Sequence, residues 1–492
     1  MTEQAQTTTD MPVAEMVIRG EIVRDHLIAI GGRGGDLTFR TPDANEYVNR
    51  LPLGDPGRLK DLYELKFDDI LDYLEKLGRN LDIADNVHLQ QACRLSYLTA
   101  PTTPPLIDYT YERIPALFRR DRLREIAEKS VGIDYLEGWV PTDLISGARV
   151  EIRCFGSRAV HIVAGNSPLI SVLTVIRNAL LRSDAIIKAP SNDPFTALAI
   201  AKTMCEIAPG HPITRHLAVA YWKGGDVAFE ETLYRPHNVE KIVAWGGFAS
   251  VKHVTRYIQP GLELISLDPK RSASIVGPEA FETEDEAREA AIRVATDVGS
   301  VNQNACSNAR VIYAVTGTDD TGLARANEFG RLVYEAMLSL PRSVSTKPKR
   351  YDRSLKENVE AVRLDGDWFN VIGGRDGEGA IIVSQLAQPV PFSTALNDRT
   401  ANIVPVDSVA EVLGAVNSWT QTVGIYPESL KDELKDVLPL YGAQRMVSLG
   451  YATATAATNA GRHDAIEPMR RMGKWIVNEI STPDNVPPLW AL

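Results

Sequence analysis

The sequence predicts an α/β protein in which a Rossmann-type, dinucleotide-binding kind of sheet domain is followed by a second α/β domain. Three observations carry this reading. A chain of 492 residues, 44% of them hydrophobic, can bury a large core and is long enough for two or three domains. From Ala159 onward, short apolar runs alternate with amphipathic segments, the pattern of parallel strands joined by right-handed crossover helices. The alternation then starts afresh at "SASIVGPEAF", so there are two such blocks.

Taken in order, residues 1–19 read as a polar tail, "MTEQAQTTTDMPVAEM" at its start, without the basic, apolar and small-residue order of a signal peptide. Residues 20–142 read as a helical N-terminal part of the first domain. Both "LKDLYELKFDDILDYLEKLGRNL" and "LREIAEKSVGIDYLEGW" repeat apolar residues every three to four positions, and "TAPTTPPLI" breaks the pattern between them. Within residues 143–156, "ISGARVEIRCFG" alternates and is punctuated by glycine, which predicts a hairpin. Residues 157–276 form the dinucleotide-binding domain, with strands "AVHIVAG", "AIIKAP", "LAVAYW", "KIVAWGG" and "LELISL". The second domain, residues 277–470, carries "ARVIYAV", "AIIVSQ" and "ANIVPV" between helical stretches, and residues 471–492 are a C-terminal segment.

The totals narrow the function. A formal net charge of -11 argues against nucleic acid or an anionic membrane as the main partner. No apolar run approaches the roughly 18 residues that an integral membrane segment needs. Cys93, Cys154, Cys205 and Cys306 are too scattered for a disulfide framework and form no CxxC pair, so free thiols and a cytoplasmic setting are expected.

Several residues could carry chemistry. In "HIVAGNSPLI", Asn166 and Ser167 follow a strand where ligands of open α/β sheets bind, although either also suits a helix N-cap ahead of Pro168. Lys188 ends the strand "AIIKAP", where a lysine reaches a phosphate or is simply solvated. Gly246 and Gly247 in "AWGGFAS" would admit a pyrophosphate to a helix N-terminus, but no complete GxGxxG accompanies them. Cys306, in "VGSVNQNACSNARVIY", is either a small buried hydrophobe or a nucleophile.

Together and in this order, "AGNSP", "ALLRSDAIIKAPSNDP", "AWGGFAS", "SVNQNAC" and "GIYP" resemble the aldehyde dehydrogenase superfamily from about Ile152 onward. "HIVAGNSP" and "GRHDAIEPMRRMGKWIVNE" are similar to its acyl-CoA reductase, LuxC-like branch. The resemblance implies an aldehyde dehydrogenase-like fold with a small oligomerisation element at residues 143–156 and a homo-oligomer, dimer or tetramer. It implies that Cys306 is the nucleophile at the seam of the two domains, with the Asn166 amide and the Cys306 backbone N–H as oxyanion donors. His463, with Asp464, matches the branch's His-Asp pair. Lys188 matches the lysine that contacts the adenine ribose. Three residues on, many NAD-selective members carry a glutamate and this chain has Ser191, so NADPH is the expected cofactor and NADH the alternative. The implied partner is an acyl-CoA or acyl-carrier thioester, and the resemblance points to a fatty acyl group.

The chain departs from the superfamily at one telling place. Acid-forming aldehyde dehydrogenases hold a water-activating glutamate in "ELGGK"; the ungapped match in "LDPKRSASIV" is Leu267, with Asp268 beside it and Glu263 four residues earlier. Without that base, an acyl-cysteine exchanges with a thiol rather than hydrolysing, which favours an acyl-CoA reductase. Two alternatives stay open: an acid-forming aldehyde dehydrogenase using Asp268 or Glu263, and a catalytically silent binding or scaffold protein. Asn397 or Asp398 is the candidate contact to the nicotinamide ribose, and Cys93, Cys154 and Cys205 are expected to be inert.

Overall fold

Every residue of strand Arg158–Ile162 is buried, as befits a central parallel strand covered on both faces. It pairs in parallel with Asp184–Lys188 on one side and Lys241–Trp245 on the other. Leu217–Ala220 and Glu263–Leu267 extend the set outward. Helices Pro168–Leu180, Thr196–Ile207, Val227–Leu233 and Phe248–Thr255 connect these strands. The spatial order reverses beside Arg158–Ile162: later strands are added first on one flank, then on the other. Such a reversal opens a crevice between the carboxyl ends of Arg158–Ile162 and Lys241–Trp245, the usual ligand position in doubly wound sheets.

The computed structural model describes residues 11–31, 37–145, 148–267, 270–453, 468–482, 484, 486 and 488–491. They fall into two compact units, one drawn from Met1–Thr99, Thr110–Asp268 and Ile466–Leu492, the other from Ala100–Tyr109 and Pro269–Ala465. Among the described residues no helix is long and apolar enough to cross a membrane.

Three expectations need correction. The polar tail does not extend to residue 19: Met16–Ile18 is a strand, Met16 is fully buried, and the pair Met16–Ile18 and Glu21–Val23 completes the first sheet beside Leu217–Ala220. A three-residue strand whose partner lies far along the chain leaves no local periodicity to read. Next, Arg271–Val276 belongs to the second sheet, not to the dinucleotide-binding domain, because the chain changes sheets directly after Glu263–Leu267 without an intervening helix. Finally, Ala100–Tyr109, the stretch around "TAPTTPPLI", groups with the second unit although helices on both sides of it belong to the first.

Arg19, just after the new strand, sits at φ 54 and donates to both carboxylate oxygens of buried Asp184. Against the upward push of burial, His216 and Arg19 hold the Asp184 carboxyl below its ordinary value. This anchors the amino end of the strand that finishes at Lys188.

The hairpin expected within 143–156 is formed by Val140–Asp143 and Arg149–Phe155, and Lys474–Ile480 adds a third antiparallel strand. The second unit holds a seven-stranded sheet in the order Phe369–Gly373, Ala380–Ser384, Thr400–Pro405, Ala309–Ala314, Arg271–Val276, Thr420–Tyr426 and Arg445–Ser448. Only its first pair is antiparallel. Helices Glu284–Gly299 and Asp320–Ser339 pack Ala291, Val294, Val298, Phe329 and Val333 against one face.

Candidate active site

In the first unit, the candidate residues follow the carboxyl ends of neighbouring parallel strands. Asn166 is exposed in the loop after Arg158–Ile162. Ser167 starts helix Pro168–Leu180 in an extended conformation without a side-chain cap hydrogen bond, so capping does not account for it. A Cβ at Gly165 would lie 2.0 Å from Asn192 Oδ1, so a larger residue there would displace the side chain whose Nδ2 donates to the Gly165 carbonyl at 3.0 Å. The Asn166 loop and the loop after Lys188 are thereby held together.

Lys188 ends its strand with Nζ 5.7 Å and 5.5 Å from the ring centroids of Tyr221 and Trp222. Burial pushes its ammonium down to about 8, opposed by Glu230. Glu230 is itself buried and accepts hydrogen bonds from Tyr257 OH (2.8 Å) and His253 Nε2 (2.7 Å). Ser191 is half-buried. The carboxylate two residues on, Asp193, is buried, accepts from Thr196 N–H (3.2 Å) and Oγ1 (2.6 Å), and is pushed up to about 6 by burial. It is committed to the start of helix Thr196–Ile207.

Gly246 and Gly247 lead from Lys241–Trp245 into helix Phe248–Thr255, on the other side of the crevice from the Asn166 loop. A Cβ at Gly247 would meet nothing within 4 Å, so the backbone faces open space at a helix N-terminus. A ribose 2′-phosphate near Lys188 would meet its cation, and a pyrophosphate near Gly246 and Gly247 would meet open backbone at a helix N-terminus. Glu263 does not fit the role of base: it opens its strand, at the sheet's opposite end, and accepts from Lys241 Nζ at 2.7 Å. Leu267 closes that strand and is buried. Asp268, His463 and Asp464 lie outside the described residues.

The second unit holds Cys306, which follows a run of three non-glycine residues in the left-handed region: Val301, Asn302 and Gln303, at φ 47, 54 and 64. Such conformations cost roughly 1–3 kcal/mol each and persist only where the surroundings impose them. Here the side-chain amides impose them. Asn302 donates to Thr346 Oγ1 (3.0 Å) and accepts from its N–H (2.8 Å). Gln303 donates to the carbonyls of Ala309 and Thr400 and accepts from Thr400 N–H. Asn308 accepts from Ala305 N–H (2.9 Å) and donates to the carbonyls of Asp297 (2.9 Å) and Ser300 (3.0 Å). Ser272 Oγ donates to the Cys306 carbonyl at 2.8 Å. The amides of "NQN" and "SN" thus read as a frame for the cysteine turn.

Asn308→Ala is expected to cost about 3 kcal/mol in urea unfolding, since it leaves the Ala305, Asp297 and Ser300 backbone groups without these partners. A cost below about 1 kcal/mol would show that the turn is held by other contacts.

Cys306 is half-buried, whereas Cys93, Cys154 and Cys205 are buried. Burial pushes the thiols of Cys154 and Cys205 up to about 11. Sequence reading misses two arginines near Cys306. Burial draws both Arg310 and Arg445 down; a Cys306 thiolate would oppose this at both, and buried Asp297 opposes it more strongly at Arg445. The one signal for Arg310 is its spacing, four residues after the cysteine, and strand-initial arginines are usually solvated. Of the two candidates for the nicotinamide ribose, Asp398 accepts from Asp352 N–H at 2.9 Å and Asn397 points its amide toward Asp398 at 3.5 Å.

The family model of acyl-CoA reductases (LuxC) matches residues 62–475. The long-chain acyl-protein thioester reductase of Photobacterium phosphoreum is 29% identical over 366 residues, covering 74% of this chain and 70% of its own. That of Vibrio harveyi is 26% identical over 368 residues, covering 74% and 72%. Among solved structures, lactaldehyde dehydrogenase from Escherichia coli superposes with a TM-score of 0.71 at 15% identity, covering 96% of this chain and all 100% of that one. Aldehyde dehydrogenase 21 from Physcomitrella patens gives 0.71 at 12%, covering 97% and 100%. At such identities these structures establish the fold, and it is the aldehyde dehydrogenase fold that the sequence motifs imply.

Proposed function

Because the chain belongs to the acyl-CoA reductase (LuxC) family, we propose that it reduces an acyl thioester, of CoA or of a carrier protein, to the aldehyde through an acyl-cysteine on Cys306. The observation that carries this reading is the half-buried thiol of Cys306, framed by buried amides and accompanied by arginines, in a chain whose other cysteines are buried. In the proposed reaction the Cys306 thiolate attacks the thioester carbonyl, and the electron pair moves to the carbonyl oxygen. Asn166 and the Cys306 backbone N–H serve as donors to that oxyanion. As the carbonyl reforms, the C–S bond to the donor breaks and its thiolate leaves, taking a proton from solvent. A reduced nicotinamide held by the Lys188 and Gly246–Gly247 loops would supply, when bound, the hydride that reduces the acyl group. Collapse of the resulting thiohemiacetal returns the electron pair to Cys306 and frees the aldehyde.

Lys188 and Ser191 are the proposed contacts to an adenine ribose 2′-phosphate, which makes NADPH the preferred reductant, and Gly246 and Gly247 the contacts to the pyrophosphate. Lys188→Met is expected to raise the KM for NADPH about tenfold while leaving that for NADH nearly unchanged. For the unaltered protein, Lys188 loses its charge above a value near 8, so kcat/KM for NADPH should fall as pH rises through about 8. Equal losses for both nucleotides in the variant would remove the 2′-phosphate from the reading.

His463 is kept as a proposed proton carrier for the reaction. The chain is also proposed to act as a cytoplasmic homo-oligomer, a dimer or tetramer. Edge strand Lys474–Ile480, which exposes Ile476, Val477 and Ile480, supports an association there.

The test is NADPH oxidation by the purified full chain with a panel of acyl-CoA and acyl-carrier thioesters, with aldehyde measured directly. Consumption with matching aldehyde supports the reading. Oxidation of free aldehydes to acids, with every thioester inert, would overturn it and return attention to Asp268.

A further inference from the structure

Arg310 stands four residues beyond Cys306, in strand Ala309–Ala314. Its guanidinium is clamped by two carbonyls: Nε donates to Leu396 (3.1 Å) and Nη1 to Asn308 (2.9 Å). Asn308 is the residue whose side chain holds Ala305 N–H, so Arg310 is fixed to the same turn that presents Cys306. Carbonyls satisfy its donors without cancelling its charge.

Among the described residues no carboxylate forms an ion pair with Arg310. The ionisable groups that bear on it are Cys306, whose thiolate form would stabilise its cation, and Arg271 on the adjacent strand, which repels it. Arg445, from the far side of Thr420–Tyr426, also feels Cys306, but it shares its charge with buried Asp297. A half-buried cation without a carboxylate is costly unless some other anion is near. The attraction is mutual, so the guanidinium favours the anionic form of the thiol.

We propose that Arg310 is the positioning residue that keeps Cys306 a thiolate at neutral pH, with Arg445 in a lesser supporting part. The proposal rests on the reading of Cys306 as the nucleophile, and its mechanism is electrostatic: the residue acts through the sulfur and does not touch substrate. It also accounts for an arginine, not a second amide, at this point of an otherwise amide-built frame.

The experiment is alkylation of Cys306 by iodoacetamide in the full chain across pH, followed by mass spectrometry of its peptide, with no acyl substrate present. The unaltered protein should reach half-maximal rate at least one pH unit below the roughly 8.5 of a free thiol. Arg310→Gln should raise that midpoint by about one unit and slow labelling at neutral pH about tenfold, Arg310→Lys should restore most of the difference, and Arg445→Gln should shift it less. The same midpoint in the glutamine and lysine variants as in the unaltered protein would overturn the proposal and leave Arg310 a structural residue. If Arg310→Gln does not fold, the thiolate absorbance of the unaltered protein against Cys306→Ala decides: a midpoint near 8.5 or above overturns it. A midpoint that moves with Arg310, in a protein that forms no acyl adduct, would sustain the electrostatic pairing and refute the thioester reaction instead.

Discussion

Cys306→Ala is expected to abolish both NADPH-dependent thioester reduction and the covalent acyl adduct, leaving only background rates. The acyl group must be held on sulfur between loss of the donor thiol and reduction, and no other cysteine can take over. Cys154 and Cys205 are buried with thiols pushed up to about 11, and Cys93 is buried in helix Val87–Thr99. The substitution also leaves the Arg310 cation without the sulfur beside it, so stability should fall by about 1–2 kcal/mol while the fold is kept. Mass spectrometry after brief incubation with acyl-CoA, beside thermal melting, checks both halves. An adduct that persists in the folded variant would move the nucleophile elsewhere.

Asn166→Ala is expected to lower kcat on thioesters by about 10²–10³ with little change in the KM for NADPH, the usual penalty for losing one oxyanion donor. Asn166 is exposed and lies outside the helix it precedes, so the fold should tolerate the change. Steady-state kinetics with both substrates varied separates the effects. A kcat within about threefold of the unaltered protein would show that the residue is no such donor.

Legibility in the sequence followed the range of the interactions involved. The alternation from Ala159 onward reports elements whose burial repeats locally, and Arg158–Ile162, Asp184–Lys188 and Lys241–Trp245 are parallel neighbours as that rhythm implies. Met16–Ile18 is illegible because its pairing partner, Leu217–Ala220, lies far along the chain. Glu263 looks like a candidate base in a linear alignment, yet strand direction puts it at the wrong end of the sheet, paired with Lys241. The amides around Cys306 are visible as residue types, but their meaning depends on left-handed backbone that the sequence does not announce. Arg310 needs one more fact, the absence of a carboxylate among its described neighbours, which only three-dimensional packing supplies.

The three-stranded sheet of the first unit has a consequence in time. Arg149–Phe155 is paired on one side by Val140–Asp143, a near neighbour in sequence, and on the other by Lys474–Ile480, which is synthesised only after the whole of Pro269–Ala465. At about 5–20 residues per second, a ribosome spends on the order of ten seconds or more on that interval. Throughout it, the nascent first unit carries an open strand edge, the kind of surface to which other chains add. Chaperone demand during expression should therefore peak before Lys474–Ile480 emerges, and chains stalled within the second unit should aggregate through Arg149–Phe155.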